Sequence, residues 1–321
     1  MSASLLDRVV ERQVLDGHDG RSGARIERVR LDDGTRLVVK RATPTEDLTV
    51  AAGGGVDREA MLWSSGALGR LPAGVGHAIV DVNEDGDATS TVMRDLGDRV
   101  PGWSRIISAA ECGRILDAMT ALHDTFAGDV PTAACPLATR LGLLAPHTMA
   151  PLVGGANPLP GLVMRGWERF FELVASDVAD AVAAHHADPA PLAGVLSSRP
   201  TTLLHADLWL VNLALDDTEV VFLDWAIATN GPPALDLAIF LAGSAAHITL
   251  TREQLIAEFR RRSRHTDDRT MHLALFAELA DLGWNKALDA AEHDDPAMRA
   301  RESVDLDWWV TQARIALDQF A

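Results

Sequence analysis

Two neighbouring segments restrict this chain more than any other: Leu203-Leu204-His205-Ala206-Asp207-Leu208-Trp209-Leu210-Val211-Asn212, then Val220-Val221-Phe222-Leu223-Asp224-Trp225. The apolar residues before His205 read as the end of a short buried strand, and the polar residues after them as a tight loop. The β-branched run from Val220 reads as a second strand. Together they fit one hairpin, with His205, Asp207 and Asn212 on the loop and Asp224 where the second strand ends. The loop alone also fits a plain surface turn carrying an ordinary Asp and Asn. The second Asp, at the end of an apolar run, makes the combination specific.

Two carboxylates and an amide so spaced suit phosphoryl transfer to an alcohol. That reaction passes through a loose transition state and is catalysed mostly by positioning and charge neutralisation. Asp207 would accept or orient the hydroxyl proton of the acceptor. Asn212 offers a neutral oxygen and Asp224 a charged one to Mg²⁺, a hard cation that prefers oxygen. His205 is expected to brace the loop by hydrogen bonding. No GxxxxGK[ST] segment occurs, so the P-loop route to such chemistry is excluded.

At 321 residues the chain exceeds the usual size of a single core, so two lobes are expected. Residues 1–95 read as mostly strand with one helix. Arg25–Leu31 alternates, Asp33-Gly34 turns, and Thr35–Lys40 returns. Gly53-Gly54-Gly55 precedes a helix carrying Glu59, and strands follow over 77–82 and 89–93. Residues 96–321 read as mostly helical: 106–126, opened by Ser108 and Glu111, then 162–185, 234–246, 251–264, 269–282 and 299–318. Between the first two lies a segment, 128–160, rich in Pro, Gly and Ala. The join is expected near Met93-Arg94-Asp95-Leu96-Gly97, where an apolar strand meets polar residues and a glycine. Met93 and Asp95 there are candidate nucleotide contacts.

Lys40 ends the strand Leu37-Val38-Val39 and could reach nucleotide phosphates, although a lysine snorkelling at a strand end looks the same in sequence. Glu59 on the next helix could fix it by an ion pair. Gly17-His18-Asp19-Gly20-Arg21-Ser22-Gly23 either turns backbone amides toward phosphates or forms only a hairpin tip. Asp236 opens a helix, either as a carboxylate favoured by the helix dipole or as a brace for the catalytic loop.

The net charge is −17, which argues against nucleic acid and anionic membranes as partners. Residues 1–95 carry 12 basic and 16 acidic side chains, or −4, leaving −13 for the remainder. An acidic second lobe suits a cationic or polyhydroxylated acceptor, and ordinary solvated helix faces equally. Glu278, Asp281, Asp289 and Asp305 are candidate acceptor carboxylates, with further contacts expected from 128–160. Cys112 and Cys135 lack metal-ligand spacing and read as reduced structural thiols of a cytoplasmic protein. No apolar run has the length of a membrane span, and the first residues lack a signal-peptide core. The run Arg260–Arg264 reads as a solvated face pairing with carboxylates. The His185-His186 pair reads as surface or satisfied structural residues. Trp284, Trp308 and Trp309 read as core.

Taken in order, strand lysine, helix glutamate, hinge, HxDxxxxN and metal aspartate resemble the aminoglycoside phosphotransferase and choline kinase-like family of small-molecule kinases. Asp224-Trp225 stands where protein kinases have Asp-Phe-Gly. Leu235-Asp236-Leu237-Ala238 follows closely, with no Ala-Pro-Glu segment. The resemblance implies an α+β, bilobal protein kinase-like fold with a small β-rich N-lobe and a larger α-helical C-lobe. It implies Asp207 as base, Asn212 and Asp224 as Mg²⁺ ligands, and Lys40 with Glu59 at the phosphates of ATP or GTP. It further implies a hydroxylated small molecule as acceptor, with an antibiotic first and choline, an amino alcohol or a sugar as the alternative. A catalytically silent nucleotide-binding module on the same fold is the alternative from another class. Ala206 stands where the family often has glycine, a change expected to matter little.

Overall fold

The computed structural model describes residues 5–15 and 21–319. From the N-terminus come β1 (Val9–Val14), β2 (Arg25–Leu31), β3 (Arg36–Ala42), α1 (Leu48–Ala52), α2 (Arg58–Ser64), β4 (Val75–His77), β5 (Ile79–Asp85) and β6 (Ala88–Arg94). Five of these strands form an antiparallel sheet in the order β1-β2-β3-β6-β5. Gly34, at φ 87°, closes the turn expected between β2 and β3. On β3 the side chains alternate. Leu37 and Val39 pack with Val29, Leu31 and Val92 on one face, which sends Val38 and Lys40 to the other. Helix α1 has no clear sequence signal. It starts because the Asp47 carboxylate accepts from the amides of Thr49 and Val50. The strand expected over 77–82 is two strands. Val75–His77 departs to pair in parallel with a distant partner, and β5 begins at Ile79.

The rest of the chain is α3 (Ala109–Thr125), α4 (Leu137–Leu141), α5 (Pro146–Met149), α6 (Leu159–Leu173), α7 (Ser176–Ala187), α8 (Ala190–Ser197), β7 (Thr202–Leu204), β8 (Leu213–Leu215), β9 (Val220–Phe222), β10 (Thr229–Gly231), α9 (Ala234–Ser244), α10 (Arg252–Arg262), α11 (Asp268–Glu292) and α12 (Pro296–Asp318). Helix α3 opens with the capping box of Ser108 and Glu111. Strand β4 pairs with β9, and β9 with β8, while β7 pairs with β10.

Helix α8 falls where no helix was expected, and two expected helices differ in extent. The single helix over 162–185 is broken at Val174, which takes an extended φ, ψ of −90°, 137° and buries its side chain. The bend lets both α6 and α7 pack on α11. Helix α11 continues well past 282, to Glu292. Gly283 does not stop it but admits a neighbour: a Cβ there would lie 2.8 Å from the Phe170 ring, and one on Gly166 would lie 2.5 Å from the Trp284 carbonyl oxygen. The two glycines let α6 and α11 cross closely. One apolar core runs from Leu48 and Leu62 through these helices to Ala316. Among the described residues, no helix is long and apolar enough to cross a membrane.

Candidate active site

After Leu204 the chain turns sharply. Ala206 takes a left-handed φ of 63°, the conformation that makes glycine common at such a position. Asp236, fully buried in the first turn of α9, anchors the turn. Its Oδ1 accepts from the Ala206 amide at 2.8 Å. Its Oδ2 accepts from the His205 amide at 3.2 Å and lies 2.8 Å from His123 Nε2. From the opposite side, Arg140 Nη2 donates to the Ala206 carbonyl at 3.1 Å. His205 Nδ1 accepts from the Asp207 amide at 3.3 Å, and the ring stands edge-on to Trp225. Burial pushes the imidazole down to about 4, so it is neutral near pH 7, with its proton on Nε2. Asn212 Nδ2 donates to Asp207 Oδ2 at 2.8 Å and to its carbonyl at 2.9 Å. Burial, reinforced by the negative charge of Asp224, pushes the Asp207 carboxyl up to about 7.

The Leu223 amide donates to the Asn212 carbonyl at 2.9 Å. It extends the β8–β9 ladder by one step and sets Asn212 beside the approach to Asp224. Asp224, also left-handed at φ 61°, meets Lys40: Nζ lies 2.6 Å from Asp224 Oδ1 and 3.4 Å from Glu59 Oε2. The other Glu59 oxygen accepts from the Trp225 amide at 3.2 Å. Burial opposes a charged lysine, but Asp224 and Glu59 outweigh it and hold Lys40 well above its usual range. Burial likewise opposes ionisation of Asp224, and the lysine overcomes it, keeping that carboxyl below its ordinary value. Glu59, farther from the cation, is pushed up to about 7 by burial.

This donor set fits a hard divalent cation. Among the described residues no hydrogen bond engages Asn212 Oδ1, and the Asp224 side chain is 33% exposed at the cleft. An amide oxygen and a carboxylate are hard ligands that leave room for phosphate oxygens.

The other anticipated residues separate into those near this cleft and those elsewhere. Met93, on β6, pairs with Val38 and Ile79 and packs against the core. The Asp95 carboxylate is engaged by Arg28 Nε at 2.8 Å and by the Gly97 amide at 3.2 Å. Of the glycine-rich stretch, Gly17, His18, Asp19 and Gly20 lie outside the described residues. Beyond them, Asn157 Nδ2 donates to the carbonyls of Arg21 and Ser22, both at 2.9 Å. Glu278 and Asp281 are buried on α11, and Asp281 pairs with Arg140 at 2.7 Å. Asp289 is partly buried beside Asn285. Both Asp305 oxygens are occupied, one by Arg252 and one by Lys286, so this carboxylate ties α10, α11 and α12 together.

Cys112 and Cys135 are free and buried. His185 and His186 are buried, with Nε2 of each bonded to a carbonyl. Trp284 and Trp309 are core, whereas Trp308 lies partly exposed over the Arg252 guanidinium. The arginines of 260–262 pair with carboxylates, as a solvated face should. Sequence reasoning missed His123 and Arg140. Neither has a local signal, because each finds its partner only through the fold.

A β-rich lobe with a helical one, and a lysine–carboxylate pair beside an Asp–Asn loop, is a kinase-like arrangement. The model of the phosphotransferase enzyme family matches residues 19–274, and the chain belongs to that family. Among solved structures it is similar to the choline kinase LicA from Streptococcus pneumoniae, at 12% identity over 95% of each chain with a TM-score of 0.56. It is also similar to a thermostable mutant of aminoglycoside phosphotransferase APH(4)-Ia in a ternary complex with ADP and hygromycin B. That match has 16% identity over 95% of this chain and 94% of the other, with a TM-score of 0.50. At these identities the likeness is one of fold. No curated protein sequence matches the chain.

Proposed function

We propose that this protein transfers the γ-phosphoryl group of ATP to a hydroxyl of a small hydroxylated molecule, first among candidates an antibiotic. The reading is carried by the 2.6 Å contact of Lys40 with Asp224, which joins the N-terminal sheet to the region of the Asp207–Asn212 loop. That loop lies between β7 and β8, and β7 pairs with β10 while β9 pairs with β8, so the single hairpin expected from the sequence is two separate strand pairs. In it, residues 1–95 form the nucleotide lobe and 96–321 the catalytic and acceptor lobe. Lys40, steadied by Glu59, orients the phosphates, and the bend after Met93 and Asp95 receives the base. Asn212 and Asp224 would hold Mg²⁺, which when bound supplies positive charge to the triphosphate.

Asn212 occupies one oxygen of Asp207 and leaves the other for the acceptor hydroxyl. The half-buried carboxylate, raised toward neutrality, takes the hydroxyl proton as the acceptor oxygen bonds to phosphorus and the bond to the ADP oxygen breaks. His205 and Asp236 keep the loop in place. The alternative acceptor is a metabolic amino alcohol. Phosphate added to an antibiotic brings roughly −1.5 to −2 charges where its target expects a neutral group.

The test is Mg·ATP turnover against streptomycin, hygromycin B, choline and ethanolamine. Turnover with antibiotics supports the reading, and turnover with choline or ethanolamine alone replaces it with the metabolic one. Nucleotide binding without any turnover points to a silent module. On an active acceptor, Asp207→Asn lowers kcat by about 10²–10⁴-fold with nucleotide affinity nearly unchanged; near-normal turnover would remove Asp207 as the base.

A further inference from the structure

We propose that Arg140 is a positioning residue for phosphoryl transfer: from α4 it grips the Ala206 carbonyl and holds the left-handed peptide that aims Asp207. The inference rests on the reading of Asp207 as the base.

A left-handed L-residue costs roughly 1–2 kcal/mol and persists where its surroundings over-determine it. The Ala206 peptide is gripped at both ends. Asp236 accepts its amide, and one guanidinium meets its carbonyl twice, through Nη2 at 3.1 Å and Nε at 3.4 Å. The third contact of Arg140, Nη1 to Asp281 Oδ2 at 2.7 Å, fastens the guanidinium to α11. Arg140 is 6% exposed, Asp281 3% and Ala206 1%. Its neighbours on the same short helix, Leu137 and Leu141, pack as core. A guanidinium taken out of water among them is costly unless paired and fully bonded, and the loop carbonyl is one of its two partners.

The arginine is delivered by contacts to the region that it steadies. The Cys135 amide donates to the Ala228 carbonyl at 2.7 Å, and Thr229 Oγ1 donates to the Cys135 carbonyl at 2.6 Å. The chain then enters α4 within a turn of Arg140. Rotation of the Ala206 peptide would swing Asp207 away from the hydroxyl, and Arg140 opposes that rotation.

Arg140→Lys keeps the charge but loses the two-pronged grip, and Arg140→Met removes both. Two quantities are read on the full-length chain: amide hydrogen exchange across 203–212, and Mg·ATP turnover with water as the probe acceptor. In Arg140→Lys the amides of His205, Ala206 and Asp207 are expected to exchange at least about 10-fold faster while α6 and α11 exchange as in wild type. Turnover is expected to fall by about 10- to 100-fold with the KM for ATP within about twofold. Adding Ala206→Gly, which makes the left-handed conformer intrinsically accessible, should restore much of both. Unchanged exchange at 205–207 overturns the inference. So does a turnover loss that Ala206→Gly leaves uncorrected, since Arg140 would then act on the reactants directly. If Arg140→Met unfolds globally, the Arg140→Lys result decides. Wild-type turnover in Asp207→Ala would instead sink the reading of the base, while the exchange result would still report on the grip.

Discussion

At the residue scale the site was legible where its signal was local. His205, Asp207 and Asn212 lie within one loop, and Asp224 lies just past the second strand after it, close enough in sequence for the spacing to bring them together. Lys40 and Glu59 were readable only by order along the chain, and burial between two carboxylates replaces the snorkelling alternative. Ala206 was expected to matter little, but its left-handed backbone gives the family's glycine a physical reason and this alanine a strain to be held. Arg140 and His123 were invisible because a lone cation in a proline-rich stretch, or a histidine on a helix, carries no pattern until the fold supplies its partner. Asp236 answers two buried amides and an imidazole at once. Asp236→Ala should therefore cost about 3–5 kcal/mol, read as a lower urea midpoint with an unchanged slope.

At the scale of elements, period-2 and helical patterns located most strands and helices, while ends were set by tertiary contact. Gly166 illustrates this, because what it meets is the backbone of another helix. Gly166→Ala is expected to destabilise by about 1–3 kcal/mol. Gly161→Ala on the same helix, with nothing within 4 Å of the added carbon, should be neutral or stabilise by up to about 1 kcal/mol. Paired thermal melts read the contrast. Helix α7 also carries a pH dependence. Burial pushes His186, bonded to the Ala280 carbonyl at 2.8 Å, down to about 4. Its folded value lies below the unfolded one near 6.5, so the unfolded chain binds the extra proton first. The stability it confers is complete above about pH 6.5 and is lost as pH falls toward 4. Urea midpoints across that range should decline, and His186→Gln should flatten the decline.

At the scale of the molecule, length and composition indicated two lobes, and the resemblance indicated their kinds. What they did not indicate is that residues 75–77 leave the N-terminal sheet. Two three-residue strands carry too little pattern to reveal a parallel pairing across nearly half the chain. That pairing sets Val75, Gly76 and His77 against Val220, Val221 and Phe222, the strand that ends just before Asp224. Residues 1–95 and 96–321 produced separately should therefore be poorly soluble, each with an exposed strand edge, and co-production should recover folded material. Size-exclusion chromatography of each piece and of the pair checks this. The same stitch bears on engineering: an N-terminal half borrowed from another kinase would have to bring a matching thread for the far side, because otherwise the hybrid would lose one border of the very ribbon that presents Asp224.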